Sequence, residues 1–403
     1  MEGIVRVNRY NYPSQFPNGI GTLISDMEQM ILKGNYILTE EVAAFERAFA
    51  QYLNTAFAKG VNSGTDALAV TFAALGLQPG EEVITQANTF NGTVAAILMV
   101  GATPVLVDAD EHSYLMDVEQ IESVITSRTR AIVPVHLYGK PTPMEPILSI
   151  ASKYGLFVVE DAAQAHGAKW NGRAVGSFGV AGCFSFHPSK NLAAAGDGGI
   201  IVTSDEKLAR AIDEVRSFGQ RGQNNHVRPG FNSKLDALQA RVLQEKLPHL
   251  DGWNQERRRI ADEYRDRLGG LPLVFQVQTK GEEHVYHLFQ IRTSQRDALL
   301  QHLVSTGVDA VIRYPQPIHL QASFARFAWR AGQFPQAEAL SKELLCLPLR
   351  PDLTESEISY VCNSVRDFFA TSVMRYGPAD VTHSINAPKI ECAMPECADA
   401  HLD

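Results

Sequence analysis

Between about residues 55 and 205 the chain alternates short apolar runs with helical patterns, and this rhythm constrains the fold more than any other feature. The runs Glu82–Gln86, Pro104–Val107, Ala131–His136, Leu156–Asp161, Cys183–His187 and Gly199–Thr203 are β-branched and nearly continuous in apolar residues. Alternating polarity would mark a strand with one wet face; continuous apolarity marks strands buried on both faces. Helices must then cover both faces, so the reading is an α/β fold with a mostly parallel sheet. Between two of the runs, Asp117 is set to cap a helix. Gln120 stands at the capping-box position, and Val118, Ile121 and Ile125 follow at helical spacing.

Asp236–Leu268 reads as a long helix leading out of the sheet domain, interrupted near Pro248. Beyond it, residues 270–368 mix strand patterns (LVFQV, HLFQI) with helices at Arg296–Thr306 and Glu355–Phe369. The expected division is a large domain over 1–250, a smaller α+β domain over 251–370 and a flexible tail over 371–403.

A chain of 403 residues that is 45% apolar can bury a large core. Its net charge of −9 leaves no broad basic footprint, so no nucleic-acid partner is expected. No apolar stretch approaches the roughly 18 residues of a membrane span, and no signal peptide is visible at the start. Five cysteines at irregular spacing read as reduced thiols in the cytoplasm. Cys392, Cys397 and His401 cluster in the tail but match no standard zinc spacing, so no metal is expected.

Four polar segments interrupt the apolar rhythm. In Asn62-Ser63-Gly64-Thr65-Asp66 a turn runs into an apolar helix. The N–H groups of Gly64 and Thr65 would form a phosphate site, although an ordinary cap by Ser63 accounts for the same residues. In VVEDAAQAHG a strand ends on Asp161, at the sheet edge where open α/β sheets bind ligands. A solvated loop acid is the alternative there. Glu160 should point to the opposite face. In SFHPSKNL, Lys190 lies in a stretch from Cys183 to Thr203 with no other cation, and GDGG follows. Such a setting lowers a lysine's pKa, as imine chemistry requires. The fourth segment, Gly230-Phe231-Asn232-Ser233-Lys234, reads only as a turn before a helix.

Taken in order, NYILTEEVAAFERAFA, VNSGTDAL, GEEVI, GATPVLVD, TRAIVPVHLYG, VVEDAAQAHGA, FSFHPSKNL with GDGG, GFNSKLDALQA and YPQPIHLQ form a pattern. From about residue 5 to 368 the chain resembles the nucleotide-sugar aminotransferases of the DegT/DnrJ/StrS type. That resemblance implies an aspartate-aminotransferase-like fold with a seven-stranded sheet, and pyridoxal 5′-phosphate as cofactor, passing through the pyridoxamine form. It implies that Lys190 carries the cofactor as an imine, that Asp161 pairs with the ring nitrogen and that Gln164 contacts the phenolic oxygen. Phe90 would stack on the ring. Gly64, Thr65 and Ser185 would bind the phosphate with Asn232 of the partner subunit, which makes a homodimer. L-glutamate is the implied donor and a keto-sugar nucleotide the acceptor.

The motifs stand nearest to relatives that aminate C3 of dTDP-linked deoxyhexoses. Those relatives usually carry Tyr at His187, His at Arg313 (just before Tyr314) and Arg at Lys234. His187, Lys234, Arg313 and Tyr314 are therefore the candidate substrate contacts. His187 reads equally as a structural residue, and Arg313 as a diphosphate ligand or a surface salt bridge. His319 reads as structural. Amination at C4, a sugar dehydratase using the same cofactor, and a non-catalytic regulator on this scaffold are the other readings.

Overall fold

The computed structural model describes residues 6–376. Its helices are α1 Gly21–Lys33, α2 Glu40–Leu53, α3 Gly64–Ala74, α4 Asn91–Met99, α5 Met144–Tyr154, α6 Glu206–Arg216, α7 Ala237–Lys246, α8 Leu250–Leu268, α9 Arg296–Ser305, α10 Pro335–Glu343 and α11 Glu355–Tyr376. The strands up to residue 203 are β1 Phe57–Val61, β2 Glu82–Gln86, β3 Thr103–Val107, β4 Thr129–Ile132, β5 Phe157–Asp161, β6 Lys169–Trp170, β7 Arg173–Ala174, β8 Ala181–Ser185 and β9 Gly199–Thr203. Four more follow: β10 Val274–Phe275, β11 Glu282–Glu283, β12 Phe289–Arg292 and β13 Leu344–Leu347.

Seven strands form one sheet in the order β1-β9-β8-β5-β4-β2-β3. Only β9 runs against the rest, antiparallel to both β8 and β1. Every residue of β2, β8 and β9 is buried, as continuous apolar runs require. One face packs against α2 and α7, where Phe45, Phe49 and Leu243 meet Phe184 and Ile200. On the other face Leu68, Phe72, Ile97 and Ile212, from α3, α4 and α6, meet Val61, Val83, Val159 and Ile201. A second sheet, β10-β12-β13, shares a separate core with α8, α9 and α11.

Three expectations need correction. The helix expected after Asp117 is two short 3₁₀ turns, Val118–Gln120 and Glu122–Val124. Asp117 does cap, accepting from the amide of Glu119. The Gln120 side chain, however, bonds the Asp117 carboxylate and the amide of Asp108 at 3.0 Å. That ties the segment to the end of β3, and Ile125 is already extended. The run Ala131–His136 is strand only to Ile132, because Pro134 cannot donate to a ladder. The last helix passes Ala370 and continues to Tyr376, since no helix breaker precedes Gly377. Cys392, Cys397 and His401 lie outside the described residues. Among those described, no helix is long and apolar enough to cross a membrane, and no cluster of three potential metal ligands occurs.

Candidate active site

The carboxyl ends of the parallel strands open into a cavity of about 410 Å³. Gly64, Thr65, Phe90, Asp161, Gln164, Ser185, His187, Lys190, Arg313 and Tyr314 all line it. Sequence positions up to 250 apart thus meet at one sheet edge, the place where open α/β sheets bind ligands.

Asp161 closes β5 and is buried. Its Oδ2 accepts a 2.7 Å hydrogen bond from Thr93 Oγ1, and its Oδ1 accepts from the Ala163 amide at 3.1 Å. Burial pushes its carboxyl above the usual range, opposed by these two bonds and by the charge of Lys190. Glu160 points to the opposite face as expected. There it accepts from the amides of Gly176, Phe178 and Gly179 and meets His136 Nε2 at 3.0 Å.

Lys190 sits in the turn after β8, its amide held by the His187 carbonyl at 2.9 Å. Its side chain is half-buried in the cavity wall. Desolvation brings its ammonium down to about 8; Asp161 opposes the shift and Arg313 adds to it. A lysine so placed presents far more free amine near neutral pH than an ordinary surface lysine.

The helix α3 begins at Gly64, with Ser63 Oγ accepting from the Asp66 amide at 3.0 Å. The ordinary cap by Ser63 is thus present, and the amides of Gly64 and Thr65 precede any intrahelical partner, as a phosphate site would require. Gly64 has no alternative here, because a Cβ would lie 2.6 Å from the Ser185 Cβ. A Cβ at Gly92 would come within 2.8 Å of Thr65 Oγ1. The two glycines let Ser185 and Thr65 pack closely against the backbone around this helix end.

Gln164 accepts from the Tyr138 amide at 2.7 Å and donates to Tyr314 Oη at 3.0 Å. One amide hydrogen remains for a ligand oxygen. Phe90 is half-exposed at the cavity edge, its ring 5.4 Å from that of Tyr314. His187 folds onto its own turn, its Nδ1 3.0 Å from Ser189 Oγ, which favours the structural reading although the residue also lines the cavity. The Arg313 guanidinium makes no hydrogen bond or ion pair among the described residues, so the salt-bridge reading fails. His319 pairs with Glu338 at 2.9 Å away from the cavity and is structural.

Two candidates do not reach the cavity of their own chain. Asn232 is exposed, its carbonyl accepting from Asn62 Nδ2 at 2.9 Å. Lys234 bonds Asn232 and lies 4.8 Å over the Phe218 ring. Sequence reasoning missed Thr93, although it lies within ANTFNGTVAAI, and His287. Burial and Lys190 hold His287 well below the usual range, so it is neutral, 3.3 Å from Asn191 Oδ1.

A buried carboxylate with no cationic partner at bonding distance among the described residues, a lysine whose ammonium is brought down to about 8 and a helix end with unpaired amides match one ligand. They fit the ring nitrogen, aldehyde and phosphate of pyridoxal phosphate, and the fold and site define an enzyme of the class that uses it. The chain belongs to the DegT/DnrJ/EryC1/StrS aminotransferase family, whose model matches residues 20–366. Aminotransferases of this family work with pyridoxal phosphate, so the chain is a pyridoxal-phosphate-dependent aminotransferase. A dTDP-3-amino-3,4,6-trideoxy-alpha-D-glucose transaminase from Streptomyces venezuelae is 43% identical over 336 residues, 83% of this chain and 89% of its own. A UDP-N-acetyl-3-dehydro-alpha-D-glucosamine 3-aminotransferase from Acidithiobacillus ferrooxidans is 44% identical over 348 residues, 86% of this chain and 92% of its own. The crystal structure of S. venezuelae DesV in complex with a ketimine intermediate matches with a TM-score of 0.88 at 40% identity. That match covers 90% of this chain and 98% of DesV.

Proposed function

We propose that the chain moves an amino group from L-glutamate to a keto-sugar nucleotide, at C3 of a dTDP-linked deoxyhexose, as a cytoplasmic homodimer. One observation carries the reading: Lys190, brought down to about 8, shares a cavity with the buried Asp161 and the N-terminus of α3. The names of both relatives place the amino group at C3, and one of them names dTDP.

Bound pyridoxal phosphate supplies an electron sink for the bond being broken at the amine-bearing carbon. Lys190 would hold the cofactor through Nζ. Once displaced, it would carry a proton between the substrate carbon and the cofactor's C4′. Asp161 would keep a proton on the ring nitrogen, with Thr93 holding the carboxylate in place. Gly64, Thr65 and Ser185 would take the phosphate, Phe90 a ring face and Gln164 the phenolic oxygen. His187, Arg313 and Tyr314 would face the sugar nucleotide, with the Arg313 fork suited to diphosphate oxygens.

The dimer reading has its own support. Ile20, Ile24, Ile31, Leu32, Ile37 and Leu38, on and around α1, are all exposed. Exposed large apolar side chains gathered in one segment support an interface there. Asn232 and Lys234 of the partner subunit would then reach the site that their own chain does not.

The test is a panel of 3-keto and 4-keto nucleotide sugars, with glutamate and the holoenzyme, read by release of 2-oxoglutarate. The expected substrate is a 3-keto dTDP-deoxyhexose. A yellow protein that releases no 2-oxoglutarate with any of them overturns the reading.

A further inference from the structure

His287 also lines the ring cavity, held between two elements of the site. On one side its segment is tied to the turn whose Tyr138 amide holds Gln164. There Val285 N donates to the Gly139 carbonyl at 3.0 Å, and Leu288 N to the Tyr138 carbonyl at 3.3 Å. On the other side His287 Nδ1 lies 3.3 Å from Oδ1 of Asn191, the residue after Lys190. His287, Asn191 and Asn254 are all buried.

The hydrogen bonds around Asn191 fix where this ring carries its hydrogen. Asn191 Nδ2 donates to the Val285 carbonyl at 2.9 Å and to Asn254 Oδ1 at 3.0 Å. Asn254 Nδ2 in turn donates to the His166 carbonyl at 2.8 Å. Backbone carbonyls only accept, so they orient both amides. Both amide hydrogens of Asn191 are then used, and its Oδ1 can only accept. Nδ1 of His287 must therefore be the donor. Burial, and after it the charge of Lys190, hold the ring well below the usual histidine range and so neutral. A neutral imidazole has one N–H, which leaves Nε2 a bare acceptor. Nε2 has no hydrogen-bond partner among the described residues and is not sealed from solvent, so it meets the cavity that the ring lines.

We infer that Nε2 of His287 is the acceptor that steadies the Lys190 amine while that amine shuttles its proton. The inference rests on the aminotransferase reading above and deepens it at the proton-transfer step. Once the substrate amine displaces it, Nζ must stay within reach of two carbons in turn. A loose lysine end does this poorly, and one hydrogen bond from Nζ to a fixed acceptor confines it. No proton passes to the ring. Lys190 takes the proton from the substrate carbon and delivers it to C4′, while His287 keeps its hydrogen on Nδ1. His287 is thus a positioning residue, set in place by the amides of Asn191 and Asn254.

Two near-isosteric variants of the holoenzyme separate the two ring nitrogens. His287→Asn keeps an N–H donor near the place of Nδ1 and puts nothing at Nε2. His287→Gln reaches the place of Nε2 with an oxygen that accepts. The donor is L-glutamate, or whichever amino acid bleaches the yellow protein, with and without deuterium at C2. His287→Asn is expected to slow the first half-reaction by about tenfold or more. The isotope effect should hold or rise, because the slowed step is the proton transfer. His287→Gln should recover most of the rate. A purely structural bolt to Asn191 would give the reverse order, with Asn the milder change. An Asn variant as fast as wild type, an isotope effect that falls, or a Gln variant no faster than the Asn one overturns the inference. Solid-state nitrogen-15 NMR of histidine-labelled holoenzyme gives a readout apart from activity. It should show a neutral ring protonated at Nδ1 that disappears in His287→Asn; loss of an Nε2-protonated signal instead overturns the inference. The expected rates in a protein that aminates no sugar would uphold the inference and sink the sugar acceptor alone.

Discussion

Thr93 Oγ1 donates a 2.7 Å hydrogen bond to Oδ2 of Asp161, joining the first turn of α4 to the end of β5. The bond favours the ionised carboxylate in a buried place that otherwise disfavours it. Thr93→Val therefore raises the Asp161 pKa further and weakens its hold on a proton at the ring nitrogen. Loss of a hydrogen bond to a charged group costs about 1.5–3 kcal/mol, so the first half-reaction should slow by about tenfold to a hundredfold. Asp161→Asn should slow it more. Stopped-flow absorbance with glutamate measures both, and a Thr93→Val rate equal to wild type would contradict the assignment.

Gly64→Ala places a methyl group 2.6 Å from the Ser185 Cβ, at the point where the phosphate is expected. Overpacking of this kind costs about 1–3 kcal/mol. Cofactor affinity, followed by fluorescence during dialysis, should fall by at least about fivefold while the fold persists.

The pH dependence of cofactor capture follows from Lys190. Its pKa is depressed to about 8, so the free amine accumulates as pH rises through that value. The rate at which the cofactor-free protein turns yellow should climb with pH and level off above about 8. Arg313 depresses this lysine and Asp161 raises it. The inflection should move up in Arg313→Gln and down in Asp161→Asn. An inflection near the ordinary lysine value would show that burial does not tune this residue.

Glu160 bonds three amides of one loop, those of Gly176 and Phe178 at 2.6 Å and that of Gly179 at 2.7 Å, along with His136. Removing one partner from such a buried charged network costs about 3–5 kcal/mol. Glu160→Ala should lower the urea midpoint accordingly. Glu160 faces away from the cavity, so the folded fraction should keep its half-reaction rate.

The strand edges of the site were legible because continuous apolar runs announced them: β2 and β9 fall where the sequence places them. The strand β1 was hidden by Lys59 and Gly60. Lys59 reaches out to Asp213, and a Cβ at Gly60 would lie 2.7 Å from the Leu235 Cβ. β13 follows α10 directly, with no turn residue to mark the change. Asp161 could be picked out because it ends an apolar run, and Lys190 because it follows one in a stretch with no other cation. Thr93 could not be assigned from a pattern, since its partner lies 68 residues away.

The central claim is covalent attachment of the cofactor at one lysine. Borohydride reduction of the yellow holoenzyme, followed by proteolysis and mass spectrometry of the peptides, tests it directly. The account expects the phosphopyridoxyl mass on Lys190 alone, and no label in Lys190→Ala. A label on another lysine, or none on a yellow wild-type protein, would contradict it.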